Sequence, residues 1–115
     1  VTDRLKELIE AGNKYDTVIA IGPLVMMRAV CNLTKEYGIK TIVSMNPIMI
    51  DGTGMCGGCR VIVDGKTKFA CVDGPDFDGH LIDWQAAMNR QQMFKAYEKR
   101  ACEEGRCRIG RDNNA

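Results

Sequence analysis

The chain has 115 residues, and 16 lysines and arginines against 15 aspartates and glutamates leave a net charge of +1. That balance offers no long-range field to a nucleic acid, and no basic stripe interleaved with aromatics accompanies it. No apolar run approaches the ~20 residues needed to span a bilayer, and no signal-peptide pattern stands at the start. The expectation is a cytoplasmic protein that takes neither nucleic acid nor membrane as partner.

In chain order, Thr2 to Glu10 carries Leu5, Leu8 and Ile9 at helical spacing, with Thr2 placed to cap it and Gly12 to stop it. Thr17 to Ile21 is a short apolar, β-branched run closed by Gly22-Pro23, the pattern of a buried parallel strand. Leu24 to Tyr37 is a second amphipathic helix, with Met27, Val30, Cys31 and Thr34 on one stripe and Gly38 beyond its end. Lys40 to Met45 reads as another strand. Helices alternating with strands predict an α/β sheet of the doubly wound kind.

Asn46-Pro47 breaks that alternation, because the residue before proline is pushed out of helical space. Arg60 to Val63, Asp64-Gly65 and Lys66 to Cys71 then predict a β-hairpin, since both residues of an Asp-Gly turn accept positive φ. Turns follow at Asp73-Gly74-Pro75 and Asp78-Gly79, and an amphipathic helix is expected from Leu81 to about Tyr97, with Trp84, Ala87, Met88, Gln91 and Phe94 on its stripe. The end of the chain is charged and expected to fray.

Six cysteines in a short chain suit either a disulfide scaffold or a metal site. The arrangement favours metal. Asp51, Cys56, Cys59 and Cys71 form D-x4-C-x2-C-x11-C, and the plant-type [2Fe–2S] pattern is C-x4-C-x2-C with a later fourth cysteine. Gly52, Gly54, Gly57 and Gly58 supply the tight turns that bring backbone close to a cluster. The hairpin carries the chain out from Cys59 and returns Cys71 beside it. Soft thiolates also bind zinc, so a structural zinc staple holding a non-redox interaction module is the competing reading. Asp51 stands in the first ligand position, and Asp-Gly is also a common turn. Cys31 reads as a small buried hydrophobe and His80 as a structural hydrogen-bonding residue. Cys102 and Cys107 leave three readings open: thiols, a local disulfide, or contacts to a partner's metal site. No Ser-His-Asp or Cys-His arrangement and no Walker-type loop supports hydrolytic or kinase chemistry.

The segments Asn46 to Arg60 and Lys68 to His80 closely resemble the small subunit of NADH-dependent ferredoxin–NADP oxidoreductase and sulfide dehydrogenase. Its relatives are the electron-transfer subunit of dihydroorotate dehydrogenase and hydrogenase gamma subunits. The resemblance implies aspartate as first ligand in the ferredoxin–NADP branch and cysteine in the dihydroorotate branch. Ile21-Gly-Pro-Leu-Val-Met-Met27 is similar to the C-G-P-x-x-M-M segment of ferredoxin-reductase-type domains, with Ile21 in place of cysteine. It implies that Gly22, Pro23 and Met26 help form a nucleotide pocket.

The resemblance also implies a C-terminal fragment of a longer subunit, in three parts. Residues 1–46 would complete an NAD(P)-binding, ferredoxin-reductase-type doubly wound parallel sheet. Residues 47–80 would form a small β-hairpin subdomain holding the [2Fe–2S] cluster, and 81–115 a C-terminal helix and tail. FAD would sit outside this fragment, which alone would show little turnover. Electrons would pass between NAD(P)H, FAD and a larger flavin- and iron–sulfur-containing partner subunit. Electron transfer in the dihydroorotate dehydrogenase branch is the alternative.

Overall fold

The structure, a computed structural model, describes residues 1–105. Helix α1 (Thr2–Glu10) leads to strand β1 (Thr17–Ala20), helix α2 (Leu24–Glu36) and strand β2 (Lys40–Ser44). A long irregular loop then reaches strands β3 (Arg60–Val63) and β4 (Lys66–Phe69), followed by one helical turn, α3 (Ala70–Asp73). Strand β5 (Asp76–Asp78) and helices α4 (Trp84–Gln91) and α5 (Lys95–Glu103) complete the described chain.

The α/β character holds, with two small sheets. The first has the order β1-β2-β5, with β1 and β2 parallel and β5 antiparallel to β2. Of the expected doubly wound parallel sheet, the described residues show one parallel pair in a mixed three-stranded sheet. The third strand lies between the two expected turns, Asp73-Gly74-Pro75 and Asp78-Gly79, and shares Asp78 with the second, where no strand is expected. Asp76-Phe77-Asp78 carries little strand signal of its own; it is made a strand by pairing with Ser44, Val43 and Ile42. Further bonds from Met45 N–H to Pro75 O and Gly79 N–H to Thr41 O extend that ladder at both ends. Tertiary pairing outweighs local propensity here.

The other sheet is the predicted hairpin. Asp64 (φ 53°) and Gly65 (φ 72°) both take positive φ, as a two-residue turn matching the strands' right-handed twist demands. Residues 81–83 then lie along β3, with a bridge between Val63 and Ile82 and bonds from Asp64 N–H to Leu81 O and from Asp83 N–H to Ile62 O. The stretch from β5 to Asp83 thus ties the two sheets together.

Helix α2 is the centre of the core. Its buried residues are Leu24, Met27, Val30, Cys31 and Thr34, which includes the whole predicted stripe. All but Thr34 pack with Ala20, Val43, Met45, Val61, Ile82 and Ala87 in one cluster shared by both sheets and α4. Strand β1 departs from the expectation of a buried strand. It is the edge of the sheet order, and Ile19 and Ile21 are 67% and 71% exposed. The single helix expected from Leu81 to Tyr97 is instead two. It starts late because Leu81 and Ile82 are engaged with β3, and Asp83 caps α4 by accepting from Ala86 N–H at 3.0 Å. It breaks at residues 92–94, where bonds such as Met93 N–H to Arg90 O span three residues and tighten the turn. Helix α5 buries no residue, so no packing holds it in line with α4. Thr2 lies inside α1, whose N-cap is Val1 without a side-chain bond.

Candidate metal centre

Both candidate binding segments leave the same edge of the parallel pair. Parallel strands put their carboxyl ends together, where open α/β sheets bind ligands. From β1 the chain enters Ile21-Gly22-Pro23, with Pro23 as the N-cap of α2. From β2 it enters Asn46-Pro47 and the irregular loop. Asn46 Nδ2 donates to Gly22 O at 3.3 Å and joins the two exits. A Cβ on Gly22 would meet the end of the Met26 side chain, so Gly22 and Met26 are in contact. Met26 is partly buried against the core, while Ile21 and Val25 face outward. The structure thus brings Gly22, Pro23 and Met26 together at the exit of β1.

The loop of residues 46–59 is held by its own polar groups. The Asp51 carboxylate accepts the Thr53 N–H at 2.9 Å through Oδ1 and the Cys56 N–H at 3.0 Å through Oδ2. The Thr53 and Cys56 donors hold this carboxyl below the usual carboxylate range. Asp51 is thus the turn-former that its Asp-Gly setting suggests. Each carboxylate oxygen has two lone pairs, so these bonds leave acceptor capacity for a cation. Gly54 is required on two grounds. Its φ is 84°, and a Cβ would stand 3.0 Å from Val72 Cγ2.

The cysteines arrive from two directions. Cys56 is exposed on the loop and its Sγ accepts the Gly58 N–H at 3.3 Å. Cys59 is buried just before β3, and the hairpin returns Cys71 in α3 to a position opposite it. The Ala70 N–H bonds Cys59 O at 3.1 Å, the Cys71 N–H reaches Cys59 Sγ at 3.4 Å, and the two sulfurs are 3.3 Å apart. Two thiolates on one tetrahedral ion with ~2.3 Å bonds would lie about 3.8 Å apart, wider than this hydrogen-bonded contact by about half an ångström. Burial opposes ionisation of Cys59, but the donors from Cys71 and Ala70 outweigh it and lower its pKa. Cys71 shares a hydrogen with the Cys59 sulfur, and its pKa is raised. Among the described residues no three His, Cys, Asp or Glu side chains converge on one point. Of the four predicted positions, Asp51 is joined to Cys56 through the Cys56 backbone N–H, and Cys59 and Cys71 meet through their sulfurs.

The remaining positions fall away from this centre. His80 Nε2 lies 3.1 Å from Thr34 Oγ1, which also receives the Thr41 hydroxyl at 2.5 Å, so His80 is part of a buried polar network. Burial and the charge of Asp78 push the Cys31 thiol up to about 11. Cys102 is on α5, and Cys107 lies outside the described residues. One contact to the loop escaped the sequence reading. Arg90 Nη2 of α4 donates to Gly58 O at 3.1 Å. Its signal was an arginine three residues after the buried Ala87, on what should be an apolar face.

Residues 46–83, which contain all four predicted metal ligands, match the family model described as the iron–sulfur cluster binding domain of dihydroorotate dehydrogenase B. An uncharacterised protein of Clostridium beijerinckii is 59% identical over 101 residues, covering 87% of this chain and 34% of its own length. A dihydroorotate dehydrogenase B (NAD(+)) electron transfer subunit homolog of Thermotoga maritima is 46% identical over 99 residues, covering 86% of this chain and 35% of its own length. A chain from the solved NADH-dependent reduced ferredoxin–NADP oxidoreductase is 44% identical, with a TM-score of 0.82 over 93% of this chain and 38% of that one. The chain thus spans about a third of the length of these curated relatives. Residues 46–83 of this chain are thus similar to the iron–sulfur cluster binding domain of dihydroorotate dehydrogenase B.

Proposed function

We propose that this chain is the C-terminal part of an electron-transfer subunit of an NAD(P)H-linked flavoprotein oxidoreductase. In this reading Asp51, Cys56, Cys59 and Cys71 hold a [2Fe–2S] cluster. The observation that supports it is that one glycine-rich loop and hairpin brings the Cys59 and Cys71 sulfurs together and bonds the Asp51 carboxylate to the Cys56 backbone N–H. In this reading Asp51 and Cys56 bind one iron and Cys59 and Cys71 the other. Such a cluster supplies one-electron relay between a two-electron hydride carrier and a partner's redox centre.

The chain's own contribution is placement. Residues 1–46 carry the nucleotide turn, where Gly22, Pro23 and Met26 contact NAD(P). Residues 47–80 carry the cluster, and 81–115 follow as the C-terminal helix and tail. Because both segments leave the same strand edge, nucleotide and cluster come close without a long connection. FAD belongs to a part of the protein outside this chain. The exposed apolar side chains of Ile48, Ile50, Met55 and Val72 surround the ligand loop, and such a patch suits cover by a larger redox subunit. No helix among the described residues is long and apolar enough to cross a membrane, and a cytoplasmic setting keeps the thiols reduced.

Asp51 in the first ligand position favours the ferredoxin–NADP type of reaction. The names of the family model and of the Thermotoga relative favour the dihydroorotate type as second reading. Anaerobic titration of the complete protein with NADH or NADPH tests the shared claim. Bleaching of cluster absorbance with an electron paramagnetic resonance signal is expected. A cluster untouched by either nucleotide contradicts the reading. Reduction by dihydroorotate through the partner subunit would select the second branch, and electron exchange with ferredoxin the first.

A further inference from the structure

Among the described residues, Arg90 is a side chain from outside the loop and hairpin that donates to the backbone between two of the proposed ligands. It stands in the last turn of α4, is half-buried, and its Nη2 donates to Gly58 O at 3.1 Å. Gly58 lies between Cys56 and Cys59, and its own N–H is bonded to Cys56 Sγ. The bonded carbonyl belongs to the Gly58–Cys59 peptide, so the guanidinium polarises the same peptide unit that presents the Cys59 N–H. A charged donor makes this a stronger bond than a neutral one. The rest of the turn is crowded as well: a Cβ on Gly57 would stand 3.3 Å from the Arg60 guanidinium and 3.6 Å from the Phe69 ring.

Helix α4 is itself well anchored. Asp83 caps its start, Ala87 is buried in the core, and the helix packs on α2 and β3. An arginine fixed on such a helix can hold a glycine-rich turn in one conformation. It also keeps a positive charge beside a centre that becomes more negative on reduction, and nearby opposite charge favours the more negative state.

We propose that Arg90 is a positioning residue for the proposed cluster: it fixes the Cys56-Gly57-Gly58-Cys59 turn in ligand geometry and raises the cluster's reduction potential. The inference rests on the cluster reading above. Three variants of the loaded chain test it: Arg90→Gln, which removes the charge, Arg90→Lys, which keeps charge without the planar fork, and the exposed-site control Arg100→Gln.

Two readouts are needed: the midpoint potential from a spectroscopic redox titration, and amide hydrogen exchange of residues 57–59 in the metal-free chain. Arg90→Gln is expected to weaken reduction about tenfold, a fall of about 59 mV for one electron, and to speed exchange in the turn several-fold. Arg90→Lys is expected to fall between it and the parent, and Arg100→Gln to match the parent. If Arg90→Gln cannot be loaded with a cluster, the exchange rates decide: faster exchange supports the positioning role, and unchanged exchange overturns it. A loaded Arg90→Gln protein with parental potential and parental exchange also overturns it. Failure of the parent chain to hold iron and sulfide would instead overturn the cluster reading itself, whatever Arg90 does.

Discussion

Substituting Gly79 by alanine should be among the more damaging single-methyl additions in the molecule. Gly79 follows β5, donates its N–H to Thr41 O at 2.8 Å and accepts the Trp84 indole N–H at 3.1 Å. A Cβ there would overlap Cys31 Sγ and stand 3.1 Å from Val43 Cγ1. Neither neighbour has room to yield, since Cys31 is 3% exposed and Val43 is fully buried. Overpacking of this kind costs about 1–3 kcal/mol. Displacing Gly79 to relieve it would weaken two hydrogen bonds, each contributing about 1 kcal/mol. The expected loss is about 2–4 kcal/mol, a large part of the ~5–15 kcal/mol available to a domain. Urea unfolding followed by the fluorescence of Trp84, the only tryptophan, reads it directly. Removing the sulfur with Cys31→Ala should relieve part of the clash, so the double variant should be at least about 1 kcal/mol more stable than the two losses summed. A loss below about 0.5 kcal/mol, or strict additivity, would refute the packing argument.

Three further outcomes are expected. Asp51→Cys should retain a cluster with a shifted potential, because a softer sulfur replaces the oxygen ligand; an unchanged potential and visible spectrum would show that Asp51 is not a ligand. Cys31 gives a pH signature. Its thiol is raised from 9.0 to about 11 in the fold, so the unfolded chain ionises first and stability falls as pH rises from about 9 to 11. That extra loss should vanish in Cys31→Ala, and a pH profile identical in both would contradict the assignment. Thr34→Val removes the hydroxyl that joins Thr41, His80 and the carbonyls of Val30 and Cys31, and should lower the urea midpoint by the equivalent of about 1–3 kcal/mol; no change would mean that the network contributes nothing net.

What could be read in the sequence follows from how local each signal is. The α2 stripe of Met27, Val30, Cys31 and Thr34 repeats with the helical period, and all four are buried. The Asp64-Gly65 turn requires positive φ at both positions and has it. The Cys59–Cys71 approach was legible because the hairpin's length fixes where the chain returns. Strand β5 was not, since Asp76-Phe77-Asp78 becomes a strand only by pairing with β2, a partner more than thirty residues earlier. The break between α4 and α5 has no glycine or proline to announce it. It reflects the packing of α4 and the lack of buried residues in α5. Arg90 was missed because its partner is a backbone carbonyl 32 residues away, and periodicity reports which face a residue occupies, not which carbonyl it meets.

The central claim is that Asp51, Cys56, Cys59 and Cys71 hold a two-iron cluster. The most direct test is a visible spectrum with iron, zinc and sulfide analysis of anaerobically prepared chain, reconstituted with iron and sulfide where it emerges metal-free. The account predicts red-brown absorbance with two irons and two acid-labile sulfides per chain. A colourless chain that carries zinc, or that takes up no iron and sulfide on reconstitution, would contradict it.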